Sequence, residues 1–309
     1  MTKEEKMARR VLAKRMLLPP FDLVDLASEY GDVEFLQLPQ GADGITIGIG
    51  ELERPKILIN SNAPETRMKF TLAHELGHIV IPWHTGTIVS HLEPGEEDFE
   101  YLQMESEANR FAAELLMPTD WLSEEFEKSQ SVADYFRGIL RKSGSSKDAA
   151  FIKIFKSIPA PVICAYVDPS FRLIQLARSS AAPYFAPERH TFMKKLIFGT
   201  DNEFEKFEID DRIYFSWRFT GVDITEIDDR SWREILATIL SDMRAEEKLQ
   251  SVNATLAATF QKSKALSEPE ICGAILRAFA AKDNLSDITY HPLFEQYVVK
   301  RVKELSARK

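Results

Sequence analysis

Arg67-Met-Lys-Phe-Thr-Leu-Ala-His-Glu-Leu-Gly-His78 ends in the pattern H-E-x-x-H. In an α-helix His74 and His78 stand one turn apart, about 40° from each other around the axis, close enough to share one ion. The flanking residues support that helix. Met68, Leu72, Leu76 and Ile79 recur at helical spacing on the opposite side, where they can pack on a sheet. Asn62-Ala-Pro-Glu65 opens the helix, with Pro64 just inside its start, and Pro82 ends it.

The pattern alone arises by chance often enough that a third ligand is needed to support it. A catalytic zinc takes three protein ligands and leaves a fourth position to water, so the third belongs on a neighbouring element. The helix predicted over 96–117, closed by Pro118, offers Glu105 and Glu107. Glu105 shares a face with Asn109 and with the small residues Ala108 and Ala112, which would let this helix approach the first closely. Glu107 lies about 160° away, with Gln103, Arg110 and Glu114, and is expected in solvent. The residues therefore read as one Zn2+ ion held by His74, His78 and Glu105, with Glu75 as the general base. Asn109 is placed to accept a hydrogen bond from the second ring nitrogen of a ligand histidine, His74, fixing its tautomer. The bland alternative is a pair of histidines that only hydrogen-bond within a buried helix. A structural zinc is another, but such sites usually close with four ligands rich in cysteine, and no cysteine lies near. An oxyanion donor is also required, and Arg67, His84, His91 and Tyr101 are unranked candidates.

Composition frames this site. The 309 residues, 44% hydrophobic and 28% charged, suit a soluble protein of two or three domains, and no apolar run is long enough to span a bilayer. The charged N-terminus MTKEEKMARR lacks an apolar segment after it, so it does not read as a secretory signal, and a cytoplasmic location is expected. Cys164 and Cys272 each lie inside apolar stretches and are expected as buried thiols. A net charge of −9 opposes general nucleic-acid binding.

Around the metal motif, residues 4–17 read as a helix and Asp22 as the cap of a short helix over 23–30. VEFLQL, GITIGI and PKILIN then read as three strands of a small sheet. The fold class predicted is α+β, with that sheet packed against the H-E-x-x-H helix and the third-ligand helix in a domain of residues 1–125. Residues 132–142 and 147–157 read as two helices around the turn Ser143–Ser146, in a linker unit at 126–157. Residues 158–309 read as a small α/β domain followed by helices. Its strands are PVICAYV, RLIQLA and RIYFSWRF, an acidic stretch around 201–211 separates the last two, and Ser231–Glu234 has the form of a capping box.

The block 67–78, followed by Glu105-Ser-Glu-Ala-Asn109-Arg-Phe-Ala-Ala-Glu-Leu-Leu-Met-Pro118, closely resembles the ImmA/IrrE family of zinc peptidases. The likeness runs over roughly residues 10–125 and is weak beyond. It implies a gluzincin-like core whose ligands map onto His74, His78 and Glu105. It also implies a substrate that is a helix-turn-helix transcriptional repressor, cleaved after a stress or DNA-damage signal. Where the family often has a histidine four residues after H-E-L-G-H, this chain has Pro82, and its nearest histidine is His84. Some members carry a helix-turn-helix-like unit and then a GAF-like sensor domain, and 126–157 and 158–230 look like that arrangement. A small-molecule or nucleic-acid activating ligand is the corresponding expectation for the C-terminal region. The basic residues of 131–157 make DNA contact conceivable, although a solvated basic face is the more ordinary reading.

The leading expectation is thus a regulatory endopeptidase acting on one repressor-like partner. A less selective peptidase is one rival, and a DNA-binding or sensor protein with a non-catalytic zinc site is another.

Overall fold

Helix α1 (Lys3–Arg15) starts at a capping box between Thr2 and Glu5 and stops at Met16, whose backbone turns left-handed. In the computed structural model, which describes residues 1–38, 41–91, 99–182, 187–198, 202–219, 221 and 224–307, the chain divides into two compact units, Met1–Ile154 and Phe155–Lys309.

In the first unit Asp22 caps α2 (Leu23–Ser28) by accepting from the Asp25 N–H at 3.0 Å. Strands β1 (Asp32–Leu36), β2 (Ala42–Ile49) and β3 (Lys56–Asn60) are followed by α3 (Glu65–Val80), β4 (Gly86–His91) and α4 (Phe99–Leu116). The sheet order is β1-β3-β2-β4, with β1 parallel to β3 and the other pairs antiparallel. β4 had no counterpart in the sequence reading: the six residues GTIVSH are too short and polar to declare themselves, and they extend by pairing with β2. Pro64 is the N-cap of α3 rather than its first residue. After α4 come α5 (Thr119–Lys128), which the sequence reading did not assign, α6 (Val132–Ser143) and α7 (Lys147–Ser157). Up to Ile154 the helices of the 126–157 segment are part of the first unit. Phe136 and Phe151 pack ring to ring at 6.2 Å, and Lys142 pairs with Glu125, Lys153 with Glu114. Part of the basic character of this segment is therefore consumed inside the unit.

The second unit holds a sheet of β5 (Val162–Val167), β6 (Leu173–Arg178), β7 (Asn202–Ile209) and β8 (Arg212–Phe219), ordered β6-β5-β8-β7 and antiparallel throughout. The acidic stretch expected to be a connection is β7. Its Phe207 and Ile209 are buried while Glu208 between them faces out, so charge on one face hid a half-buried strand. Helices α8 (Trp232–Asp242), α9 (Leu249–Lys262), α10 (Glu268–Ala280) and α11 (Phe294–Ala307) follow the strands. With no strand–helix–strand crossover among the described residues, this unit is α+β rather than the α/β domain expected. Trp217 and Ile163 centre one core, and Ile239, Leu256, Ile275 and Tyr297 centre another. Cys164 and Cys272 are both buried, and burial pushes the Cys272 thiol up to about 12. No helix among the described residues is long and apolar enough to cross a membrane.

Candidate metal centre

Two helices and one sheet strand build the site. Gly77 on α3 faces α4, where a Cβ would meet the Phe111 ring at 3.0 Å and the Ala108 Cα at 3.4 Å. Its missing side chain, with Ala108 and Ala112 fully buried opposite, brings the two helices close enough for α4 to reach the α3 histidines. On the other side α3 lies over β2. A Cβ at Gly44 would stand 2.9 Å from Glu75 Cδ and 2.6 Å from Thr71 Cγ2, so the strand has room for the Glu75 carboxylate only because this position is glycine.

His74 Nε2 and His78 Nε2 point at each other across 3.0 Å. Glu105 closes the triangle, with Oε2 3.1 Å from His74 Nε2 and Oε1 3.3 Å from His78 Nε2. Among the described residues these three form a group whose ligand atoms all lie within 4.8 Å of one another. The outer nitrogens set the tautomers. His74 Nδ1 lies 3.0 Å from Asn109 Oδ1, an oxygen that can only accept, so the proton sits on Nδ1 and Nε2 is bare. His78 Nδ1 lies 2.8 Å from His84 Nδ1, and His84 Nε2 lies 3.1 Å from Glu107 Oε2. The carboxylate accepts from a His84 Nε2–H, so His84 Nδ1 accepts from His78 Nδ1–H, which leaves the His78 Nε2 lone pair facing inward. With those tautomers two ring lone pairs and a carboxylate converge, an arrangement that suits a bound cation. Glu105 Oε1 is correspondingly buried without a hydrogen-bond partner. The donor set, two imidazoles and one carboxylate, suits zinc.

Glu107 is not the solvated surface residue expected. It is 5% exposed, accepts from Trp83 Nε1 at 2.5 Å and from Gln103 Nε2 at 3.0 Å, and holds His84. The turn after α3 folds over this face of α4, and further along α1 covers it. There Glu114 is fully buried, with Arg9 Nε at 2.8 Å and Lys153 Nζ at 2.5 Å. Helical spacing placed Glu107 correctly opposite Glu105 but gave no signal of what would cover it.

Electrostatics follow burial. Burial raises the Glu105 carboxyl, but the His74 and His78 imidazoles against it outweigh this and hold it at about 2. Burial pushes His78 down to about 4, so it stays neutral and able to ligate. Glu75, fully buried, is raised by burial against the opposing pull of His74 and the Thr46 hydroxyl. Its Oε2 accepts from Thr46 Oγ1 at 2.5 Å, and its Oε1 accepts no hydrogen bond.

Of the four oxyanion candidates, His84 is buried behind His78, Arg67 pairs with Asp43 at 3.2 Å, and the Tyr101 hydroxyl donates to the Val89 carbonyl of β4. The side chain of His91 lies outside the described residues. Thr46, Gly44 and Trp83 were not singled out from the sequence. Only the three-residue offset of Thr71 and Glu75 from the apolar stripe could have hinted that a strand faces them.

Residues 9–154 match the model of the Peptidase_M78 family, the IrrE N-terminal-like domain. The radiation response metalloprotease IrrE of Deinococcus radiodurans is 30% identical over 139 residues, 45% of this chain and 40% of that protein. The protein of the same name from Deinococcus deserti is 27% identical over 154 residues, 46% of this chain and 55% of that protein. The chain thus spans about half the length of the curated relatives it matches. Among solved structures, a Mycobacterium tuberculosis transcriptional regulator aligns at a TM-score of 0.38 and 12% identity over 57% of this chain and 55% of that one. The resemblance read from the two sequence blocks is borne out over the N-terminal half of the chain.

Proposed function

We propose that this chain, whose residues 9–154 match the IrrE N-terminal-like family, is a cytoplasmic zinc-dependent endopeptidase. One observation carries the reading: three candidate ligand atoms, on His74, His78 and Glu105, converge beside a buried carboxylate, Glu75, that is not one of them. A zinc ion held by His74, His78 and Glu105 would supply Lewis acidity toward water and the scissile carbonyl. Glu75 takes the proton of the attacking water on Oε1, the oxygen that Thr46 leaves open, and gives it to the leaving amine. The carboxylate ends the cycle as it began it. Burial suits this work, because a raised carboxyl accepts a proton more readily and can still release it. Asn109, and His84 backed by Glu107, keep both ligand rings turned with a lone pair inward.

The substrate in this reading is a helix-turn-helix transcriptional repressor, cut in response to a stress or DNA-damage-type signal so that a stress, mobile-element or phage-defence operon is released. The family resemblance and the relatives' description as radiation response metalloproteases support it. The test is to incubate the zinc-loaded protein with a helix-turn-helix protein encoded beside it and with a panel of unrelated unfolded proteins. Cleavage of the repressor alone is expected, and Glu75→Gln should abolish it with zinc content unchanged. Broad cleavage of the panel would overturn the repressor assignment, and no cleavage of any protein would overturn the peptidase.

A further inference from the structure

The second unit contains a cavity of about 900 Å³ that the peptidase chemistry does not use. It lies between the end of β6, one face of α9 and the C-terminal half of α10. Small side chains keep it open: Ala254 and Ala258 stand one turn apart on α9, and Ala274 and Ala278 one turn apart on α10.

Its charge runs against the rest of the chain. Arg178, Lys262, Arg277 and Lys282 line it, and no Asp or Glu does among the described residues, although the chain has a net charge of −9. Lys262 and Arg277 occupy the last turns of α9 and α10, where a cation complements the helix dipole. That ordinary reason does not extend to Arg178 on β6 or to Lys282 beyond the end of α10. A concavity walled by one sign of charge focuses its potential on whatever enters. The cations are also oriented. The Arg277 guanidinium lies over the Phe219 ring at 5.1 Å, and Lys282 Nζ donates to the buried Thr255 hydroxyl at 2.8 Å. A second buried hydroxyl, Ser263, belongs to the same wall.

We infer that this cavity binds a phosphorylated small molecule. An arginine fork, lysine point charges and hydroxyls are the groups that satisfy phosphoryl oxygens, and the concavity has the size of small-molecule sites rather than of a nucleic-acid groove. The inference concerns binding in the second unit alone, so it stands or falls separately from the peptidase reading.

The test is titration of the full chain with inorganic phosphate, AMP and adenosine, followed by calorimetry and by thermal unfolding. Phosphate and AMP should bind and raise the unfolding temperature, and adenosine should not. Lys262 and Lys282 are both exposed, so Lys262→Gln and Lys282→Gln should fold normally, and each should weaken AMP binding about tenfold. Tighter binding of AMP than of phosphate would identify a nucleotide-like source, and equal binding free phosphate. Absence of binding by either anion, or binding unchanged in the double lysine variant, would overturn the assignment.

Discussion

Thr46 holds one oxygen of Glu75 and leaves the other open, and this division has a pH consequence. A hydrogen bond to a carboxylate favours its charged form, so Thr46→Val should raise a Glu75 pKa that burial already raises. The base works only when deprotonated, and activity is lost as pH falls through its pKa. The acid limb of the kcat/KM profile should therefore move to higher pH in the variant, and a limb that stayed put or moved lower would remove Thr46 from this role. Glu107 acts at one further remove. Glu107→Ala frees His84, and with it the tautomer of His78, and should weaken zinc binding about 10- to 100-fold. Glu105→Ala removes a ligand atom and should cost more. Competition against a chromogenic chelator ranks the two variants, and a Glu107→Ala protein with unchanged affinity would return Glu107 to a merely structural part.

At the scale of elements, α4 carries chemistry on one face and the fold's internal ion pairs on the other. Glu114 joins α1, α4 and α7, since its carboxylate meets Arg9 from one and Lys153 from the other. Burial raises this carboxyl, but the bonds from Lys153, Thr119 and Arg9 outweigh it and hold it below its ordinary value. A group depressed on folding contributes stability above its unfolded pKa and loses it as pH falls through the folded one. Glu114→Ala should cost about 3 kcal/mol at neutral pH, because it strands two partly buried cations. The difference from wild type should shrink in acid. Urea unfolding at neutral and acidic pH measures both, and a gap that widened in acid would contradict the linkage.

For the whole molecule, the division after Ile154 bears on where the chain can be cut. Phe136, Ile139, Phe151 and Ile154 are almost fully buried, and Phe126 packs on Tyr135 at 5.2 Å. A chain ending at residue 125 discards these side chains, each worth about 1.5–3 kcal/mol when buried, together with Lys153. One ending at 154 keeps them. The longer truncation should unfold cooperatively and retain zinc, while the shorter should do neither, as circular dichroism and metal analysis would reveal. Equal behaviour of the two would mean that α6 and α7 add nothing to the first unit.

The sequence by itself determined the features that depend on local spacing. His74, His78 and Glu75 share a helix whose period is set by backbone geometry, and Ala108 and Ala112 announce a close helix pair. Asp22 and Ser231 cap where a hydroxyl or carboxylate precedes a helical run. Only the tertiary structure decided what those faces meet. Nothing local to Glu107 says that Trp83 and His84 fold over it, nothing in Gly44 says that a carboxylate from 31 residues later fills its space, and β4 and β7 exist as strands through pairing with β2 and β8. The physical reason is the same in each case. Periodicity orients a side chain about its own axis, whereas burial, hydrogen-bond partners and pKa depend on which distant surface is brought against it.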